Sequence, residues 1–292
     1  MNKKELFYKE SGKINALRLL LAYLISLVLV FVLSYVYSVF SIFIPFIYVS
    51  VFITVGLGLT LGYLVKVLVR IAHIRSRRSR YILAIVLGLT ANYFQWTSYL
   101  LYVIDDKIPS IIYFFENLAW IAVPSTFFAI IASINEVGLW EVFGIQFRGF
   151  ELSLVWAVEA LVIMVGPIIA VYSTKIYPFS EEFKVWYPKF TLRNDFESVA
   201  TVIKLTRDLQ NDPLKAIQIL KMGNGIRYTK VHVYYMEHEE NQYLTFERIF
   251  IEKRGKGKER STLIVHNYII DKTMAESILA AFEHKRERII II

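Results

Sequence analysis

The 292 residues contain no cysteine, so the chain forms no disulfide and offers no thiolate to a metal. Charge is the second absence. From Leu19 to Val65 the chain runs 47 residues without one Asp, Glu, Lys or Arg. At a rise of about 1.5 Å per residue such a run is roughly 70 Å of helix, two crossings of a hydrocarbon core about 30 Å thick plus a turn. It is too long for the apolar region of a signal peptide and lacks a small-residue cleavage site, so it is expected to stay as an anchor. Recognisable chemistry is the third absence. No GxGxxG, GxSxG, GxxxxGK[ST] or HExxH occurs, and the five histidines show no metal-ligand spacing. No cofactor, no metal and no catalytic residue is expected, and an enzyme is the disfavoured class.

What is present is apolar residue and positive charge, unevenly spread. Hydrophobic residues make up 56% of the chain, 15% of it is aromatic, and the formal net charge is +8. The apolar excess lies in the first 175 residues. From Lys175 onward there are 20 Lys and Arg against 16 Asp and Glu, the density of a water-exposed domain. The division expected is a transmembrane domain over 1–176, an aromatic linker over 177–194 and a cytoplasmic α+β domain over 195–292.

Four spans are expected, at about 16–40, 44–70, 81–104 and 152–173, with a helical segment over 105–151 lying at the outer face. Lys and Arg number four in the first fifteen residues, none between the first two spans, six from Lys66 to Arg80, two from Asp105 to Glu151 and four from Lys175 to Arg193. That bias puts both termini inside, as in a bacterial inner membrane. A fifth span over 109–133 is the alternative; it would bury Glu116, Asn117 and Pro124 and move the C-terminal domain outside. Arg18, Lys66 and Arg70 sit at inner span ends, where their stems can snorkel. Tyr35, Tyr37, Tyr99, Tyr102, Trp140 and Trp156 are expected at the outer interface.

Within the spans, Glu159 is the sharpest residue, because a carboxylate in lipid must face the bundle, find partners or stay protonated. Asn92 and Gln95 fall at a comparable depth on one face of the third span with Gly88 and Tyr99, so a Glu159, Asn92 and Gln95 site is geometrically open, either as a proton or cation site or as interhelical hydrogen bonding. Gly58 and Gly62 give a GxxxG spacing that admits close helix approach, within the monomer or in a homodimer. Gly166-Pro167 is expected to kink the fourth span or leave a carbonyl unpaired.

In the C-terminal half, Asp195 is expected to cap one helix and Asp212-Pro213 to start another. From Tyr228 the apolar period changes to two, and strands near 242–252 and 262–270 complete a three-stranded antiparallel sheet. Thr273 and Glu276 read as a capping box for a last helix. Lys253, Arg254, Lys256, Lys258 and Arg260 form a basic tip, read as a solvated hairpin end, with a contact to anionic lipid or, less favoured, nucleic acid as the alternative. Ile289–Ile292 reads as an edge strand or a partner contact.

Four stretches carry a resemblance: Phe7-Tyr-Lys-Glu-Ser-Gly-Lys-Ile-Asn-Ala16, Ile44-Pro-Phe-Ile-Tyr48, Ile134-Asn-Glu-Val-Gly-Leu-Trp140 and Pro178-Phe-Ser-Glu181. Through them the chain resembles an uncharacterised family of bacterial multi-pass membrane proteins, over residues 5 to 190. The resemblance implies four spans and a variable cytoplasmic domain, with no activity attached. The leading expectation is a non-enzymatic membrane protein that anchors an interaction domain, its partners being the bilayer and another protein or a second copy. The alternative is a small transporter or channel component with a polar site around Glu159. A lipid-modifying enzyme using Glu159 with Glu116, Glu136 and Glu141 ranks third.

Overall fold

A computed structural model of the chain describes residues 6–44, 47–121, 123–138, 140–142, 145–199, 201–223, 225–251 and 259–287. Contacts divide them into a helical unit, residues 12–174, and a sheet-bearing unit made of residues 6–11 and 175–287.

The helical unit is built on α1 (Ala16–Phe43), α2 (Ile47–Ile71), α3 (Arg77–Asp105) and a later helix, α6 (Phe150–Tyr172). Three helical stretches, Ala16–Phe43, Val49–Ile71 and Phe150–Tyr172, are long and apolar enough to cross a membrane. α3 is as long but more polar, because it is wrapped by its neighbours: Ala84, Leu87, Ala91, Gln95, Thr97 and Ser98 are all buried. The outward faces are apolar instead, with Leu20, Leu24, Val28, Phe52, Leu59 and Leu161 exposed, a pattern suited to lipid.

Side-chain pairs give the helix directions. Tyr23 meets Thr90 and Phe31 meets Phe94, so α1 and α3 run parallel. Gly58 lies over Val162 and Gly62 over Gly166 and Ala170, so α2 and α6 are parallel too. Gly88 on Met164 and Trp96 on Trp156 make α3 antiparallel to α6. α2 and α6 thus run the same way, with α3 antiparallel to both. Over 109–133 stand α4 (Ile111–Ile121) and α5 (Pro124–Val137), bent by 117° between Ile111–Ala119 and Pro124–Val137 and apolar enough for a fourth span only when the bent pair is taken as one. At about 17 and 21 Å each is too short to cross alone. Phe114, fully buried against Phe31 and Phe94, fastens them to the bundle. The hairpin β1 (Trp140–Val142) and β2 (Ile145–Phe147) then leads into α6, with Asn135 donating to Ser153 and its carbonyl accepting from Gly149 N–H.

The expected interface aromatics divide. Tyr35 donates to the Pro109 carbonyl, but Tyr37 (3% exposed) and Trp156 (8%) are inside the bundle, where hydroxyl and ring have partners that the lipid boundary does not provide. Part of the basic cluster is also structural: buried Arg80 donates twice to the Ile74 carbonyl and buried Arg75 to that of His73, closing the turn between α2 and α3.

The sheet-bearing unit has a six-stranded sheet rather than three strands. β7 (Arg227–Tyr234), β8 (Asn241–Ile251) and β9 (Glu259–Asp271) form the expected antiparallel meander. β5 (Lys189–Leu192) and β6 (Phe196–Glu197) both pair with β7, and β10 (His284–Glu287) pairs with β5. These additions are two to four residues long, too short to display a period of two. Helices α7 (Val202–Asn211), α8 (Pro213–Gln218) and α9 (Lys272–Ala281) bring Leu205, Ile217 and Ile278 to a core with Val231, Val233, Leu244, Phe246 and Val265.

Four expectations are corrected here. Residues 177–194 are not a linker: β3 (Phe179–Ser180) and β4 (Val185–Trp186) pair, Tyr187 stacks edge-on to Tyr243 and donates to the Asn241 carbonyl, and Tyr177 meets Tyr234. Residues 6–8 belong to this unit as well, pairing with β9 through Tyr8 N–H to the Asn267 carbonyl and Ile269 N–H to that of Leu6. Asp195 caps no helix, because Phe196–Glu197 is a strand and α7 begins at Val202. Asp271, not Thr273, caps α9: it accepts from Met274 N–H and from the Thr273 hydroxyl. Lys253, Arg254, Lys256, Lys258 and Ile289–Ile292 lie outside the described residues.

A methyl group added at Gly166 would sit 2.2 Å from the Gly58 carbonyl oxygen, whereas one at Gly56 meets nothing within 4 Å. Gly166→Ala is therefore expected to destabilise the purified protein by roughly 1–3 kcal/mol through overpacking. Gly56→Ala should be neutral or slightly stabilising. Thermal unfolding in detergent compares the two, and equal melting temperatures would contradict the packing described.

Candidate functional site

Glu159 occupies the α6 face two turns before Gly166, so the glycine contact that draws α6 onto α2 also carries the carboxylate inward. Its Oε1 accepts from the Tyr37 hydroxyl of α1 at 2.5 Å. Tyr37 is in turn 2.8 Å from Thr54 Oγ1 of α2, and Thr54 donates to the Ser50 carbonyl. One chain of polar groups thus ties three helices. It borders a cavity of about 350 Å³, to which α1 gives Ser38 and Ser41, α2 gives Ser50 and Thr54, and α3 gives Gln95 and Trp96. Valines of α2 and α6 and the rings of Tyr99 and Trp156 complete the wall.

The structure brings Gln95 (4% exposed) to this cavity but not Asn92. Asn92 lies one turn away on the α3–α6 seam, donating to the Gly88 carbonyl at 3.0 Å and to that of Ala160 at 3.4 Å, with its Oδ1 buried and unpaired. Gly58, Gly62 and Gly166 lie at the α2–α6 crossing inside one chain, and α6 continues as helix through buried Pro167. Glu116 and Glu136 are exposed on α4 and α5, and among the described residues no contact joins either to Glu159. Arg260 sits in β9 opposite Phe250.

A second constellation was not foreseen. On the face of the sheet turned from its helices, Thr191 Oγ1 is 2.8 Å from His232 Nδ1, His232 Nε2 is 3.0 Å from Glu247 Oε2, and Lys175 Nζ is 2.6 Å from Glu247 Oε1. Hydroxyl, imidazole and carboxylate in that order have the spacing of a nucleophile with its base and orienting acid. Burial decides against it: Thr191, His232 and Glu247 are all buried. The arrangement satisfies polar groups under the 175–187 segment, whose Ile176 carbonyl accepts from Asn267. Asn267 itself adopts a left-handed conformation where β9 bulges past Thr245, a geometry asparagine tolerates. Three strands contribute single residues to this network, which no local spacing in the sequence could reveal.

Among the described residues no group of three or more His, Asp or Glu is placed to hold a metal ion. Comparison with models of known protein families, with curated proteins and with solved structures finds no match in any of the three.

The buried network makes the sheet-bearing unit sensitive to acid. The His232 N–H, ahead of Lys175, holds the Glu247 carboxyl well below the usual range despite burial, while burial holds His232 below the usual imidazole value. Unfolding frees His232 to take a proton below about pH 6.5 and Glu247 to take one below about pH 4.3. The unfolded chain therefore binds more protons across this window, and stability falls as pH falls. Hydrogen exchange of the β7 and β8 amides, corrected for intrinsic rates, is expected to lose protection stepwise between pH 7.5 and 4. Glu247→Gln should cost about 1–3 kcal/mol at pH 7.5 and flatten the lower part of that profile. Protection independent of pH would contradict the assignment.

Proposed function

We propose that the chain is an integral multi-pass membrane protein, of the kind its sequence resembles, whose helix bundle carries a ligand-binding cavity at Glu159, as in a small transporter or carrier component. Both termini lie on the cytoplasmic side, following the excess of Lys and Arg before α1, between α2 and α3 and after α6. The observation that carries this reading is the half-buried carboxylate of Glu159, held by Tyr37 and Thr54 at the edge of a cavity of ligand size, about 350 Å³. Simple helix glue would not need the space.

The absence of native cysteine makes the test direct. Ser50→Cys places a single thiol in the cavity wall, and Leu61→Cys places one in fully packed core. A small methanethiosulfonate reagent is expected to modify the first in the native protein and the second only after unfolding. A native Ser50→Cys protein that resists the reagent would refute the cavity reading.

Anchoring of an interaction domain is the second reading, favoured by the exposure of Ile203, Ile219 and Met222 on the sheet-bearing unit. Ile203→Glu with Met222→Glu is then expected to remove self-association or partner capture while the sheet stays folded.

A further inference from the structure

The cavity reading leaves the ligand open, and the charge inventory of the bundle narrows it. Glu159 is the only Asp, Glu, Lys or Arg between Leu152 and Ser173, and neither 19–65 nor 81–104 contains one. The titratable groups facing the cavity are Glu159 itself, Tyr37 of α1 and Tyr99 of α3; α2 contributes none. An ionised Glu159 therefore has no counter-charge in the cavity wall, and its neutralising partner must come from outside as a proton or as a bound cation. Tyr37 occupies Oε1, and among the described residues Oε2 has no hydrogen-bond partner. The Ser38 hydroxyl, 1% exposed and lining the cavity, also has none. A buried hydroxyl that forgoes even the carbonyl one turn back leaves an acceptor and a donor for a guest.

The walls describe that guest. A dehydrated metal ion needs a tight oxygen cage, not about 350 Å³ faced by Val51, Val55, Val155 and Val158. Trp96 stands edge-on to Trp156 at 5.0 Å and to Tyr99 at 5.8 Å, giving the cavity that Glu159 lines an aromatic wall. Aromatic faces attract cations, most strongly where water is excluded. Resting on the cavity reading above, we infer that the site binds a monovalent organic cation, an ammonium or similar centre on an apolar body. The charge lies against Glu159 and the Trp96–Trp156 wall, the apolar part lies among the valines, and the cation competes with a proton for the same carboxylate. The ammonium could be that of a free amine or of a phospholipid headgroup.

The test uses the full-length protein in detergent with tetraphenylphosphonium as probe and tetraphenylborate as an anion of the same shape, binding being read from tryptophan fluorescence. Saturable binding of the cation alone is expected, weakening at least tenfold as pH falls from 8.5 to 5.5. Glu159→Gln should abolish it, with Ser50→Cys reactivity retained in that background as proof of fold. Trp96→Leu should weaken it about three- to thirty-fold with Glu159 intact. Displacement by phosphatidylethanolamine but not by phosphatidylglycerol would assign the ammonium to lipid, and displacement by neither would assign it to a free cation; both support the inference. Equal binding of cation and anion, no binding of the cation, or unchanged affinity in Glu159→Gln would overturn it. If Ser50→Cys is still labelled in the native state, the cavity reading survives that result; if it is not, both fall.

Discussion

The approach of α2 to α6 is the constraint on which the helical unit rests. Any side chain at Gly166 would collide with the Gly58 backbone, and one at Gly58 or Gly62 would strike a carbonyl of α6 at 2.9 Å. Close backbones gain dispersion contacts along the whole seam, which matters where lipid offers no hydrophobic drive between helices. The same seam sets the polar geometry. Thr54 lies one turn before Gly58 on α2, and Glu159 lies two turns before Gly166 on α6, so helices brought together at the glycines present threonine and carboxylate to the Tyr37 hydroxyl between them. Parallel running of α2 and α6 follows from the same contacts.

Around that seam the usual polarity of a soluble bundle is inverted. Ser26, Ser34, Ser38, Thr54, Gln95, Thr97 and Ser98 are buried while leucines and valines face outward. Several of these residues bond the carbonyl of the preceding turn, as Thr54, Thr97 and Ser98 do. Ser34 and Ser38 do not, and Ser38 borders the cavity, where a ligand can supply the missing bond.

Legibility in the sequence followed the range of the interaction. Absence of charge over 19–65 was enough to place α1 and α2, and the glycine spacing marked the helix face that later proved to be the crossing point. Glu159 was conspicuous because nothing nearby in the chain neutralises it. Its partner was not: Tyr37 reads as an interface tyrosine until the fold sets it opposite a residue 122 positions away. Arg75 and Arg80 read as topology signals, yet their donors are spent on a turn. In the sheet-bearing unit the long meander was visible from its period, while the two-residue strand β6 and the cover formed by 175–187 depend on tertiary pairing alone. The resembling stretches have physical work: Phe7 and Tyr8 pair with β9, and Asn135 bridges α5 to α6.

The central claim is that the glycine seam delivers Glu159 to Tyr37 as one coupled unit. A double-mutant cycle with Tyr37→Phe and Glu159→Leu, read as unfolding free energy in mixed detergent micelles, measures that coupling without reference to any ligand. The account predicts non-additivity of about 0.5–3 kcal/mol, since each substitution removes the same hydrogen bond. Additive losses would mean that the two side chains do not meet, and the cavity would lose the group that defines it.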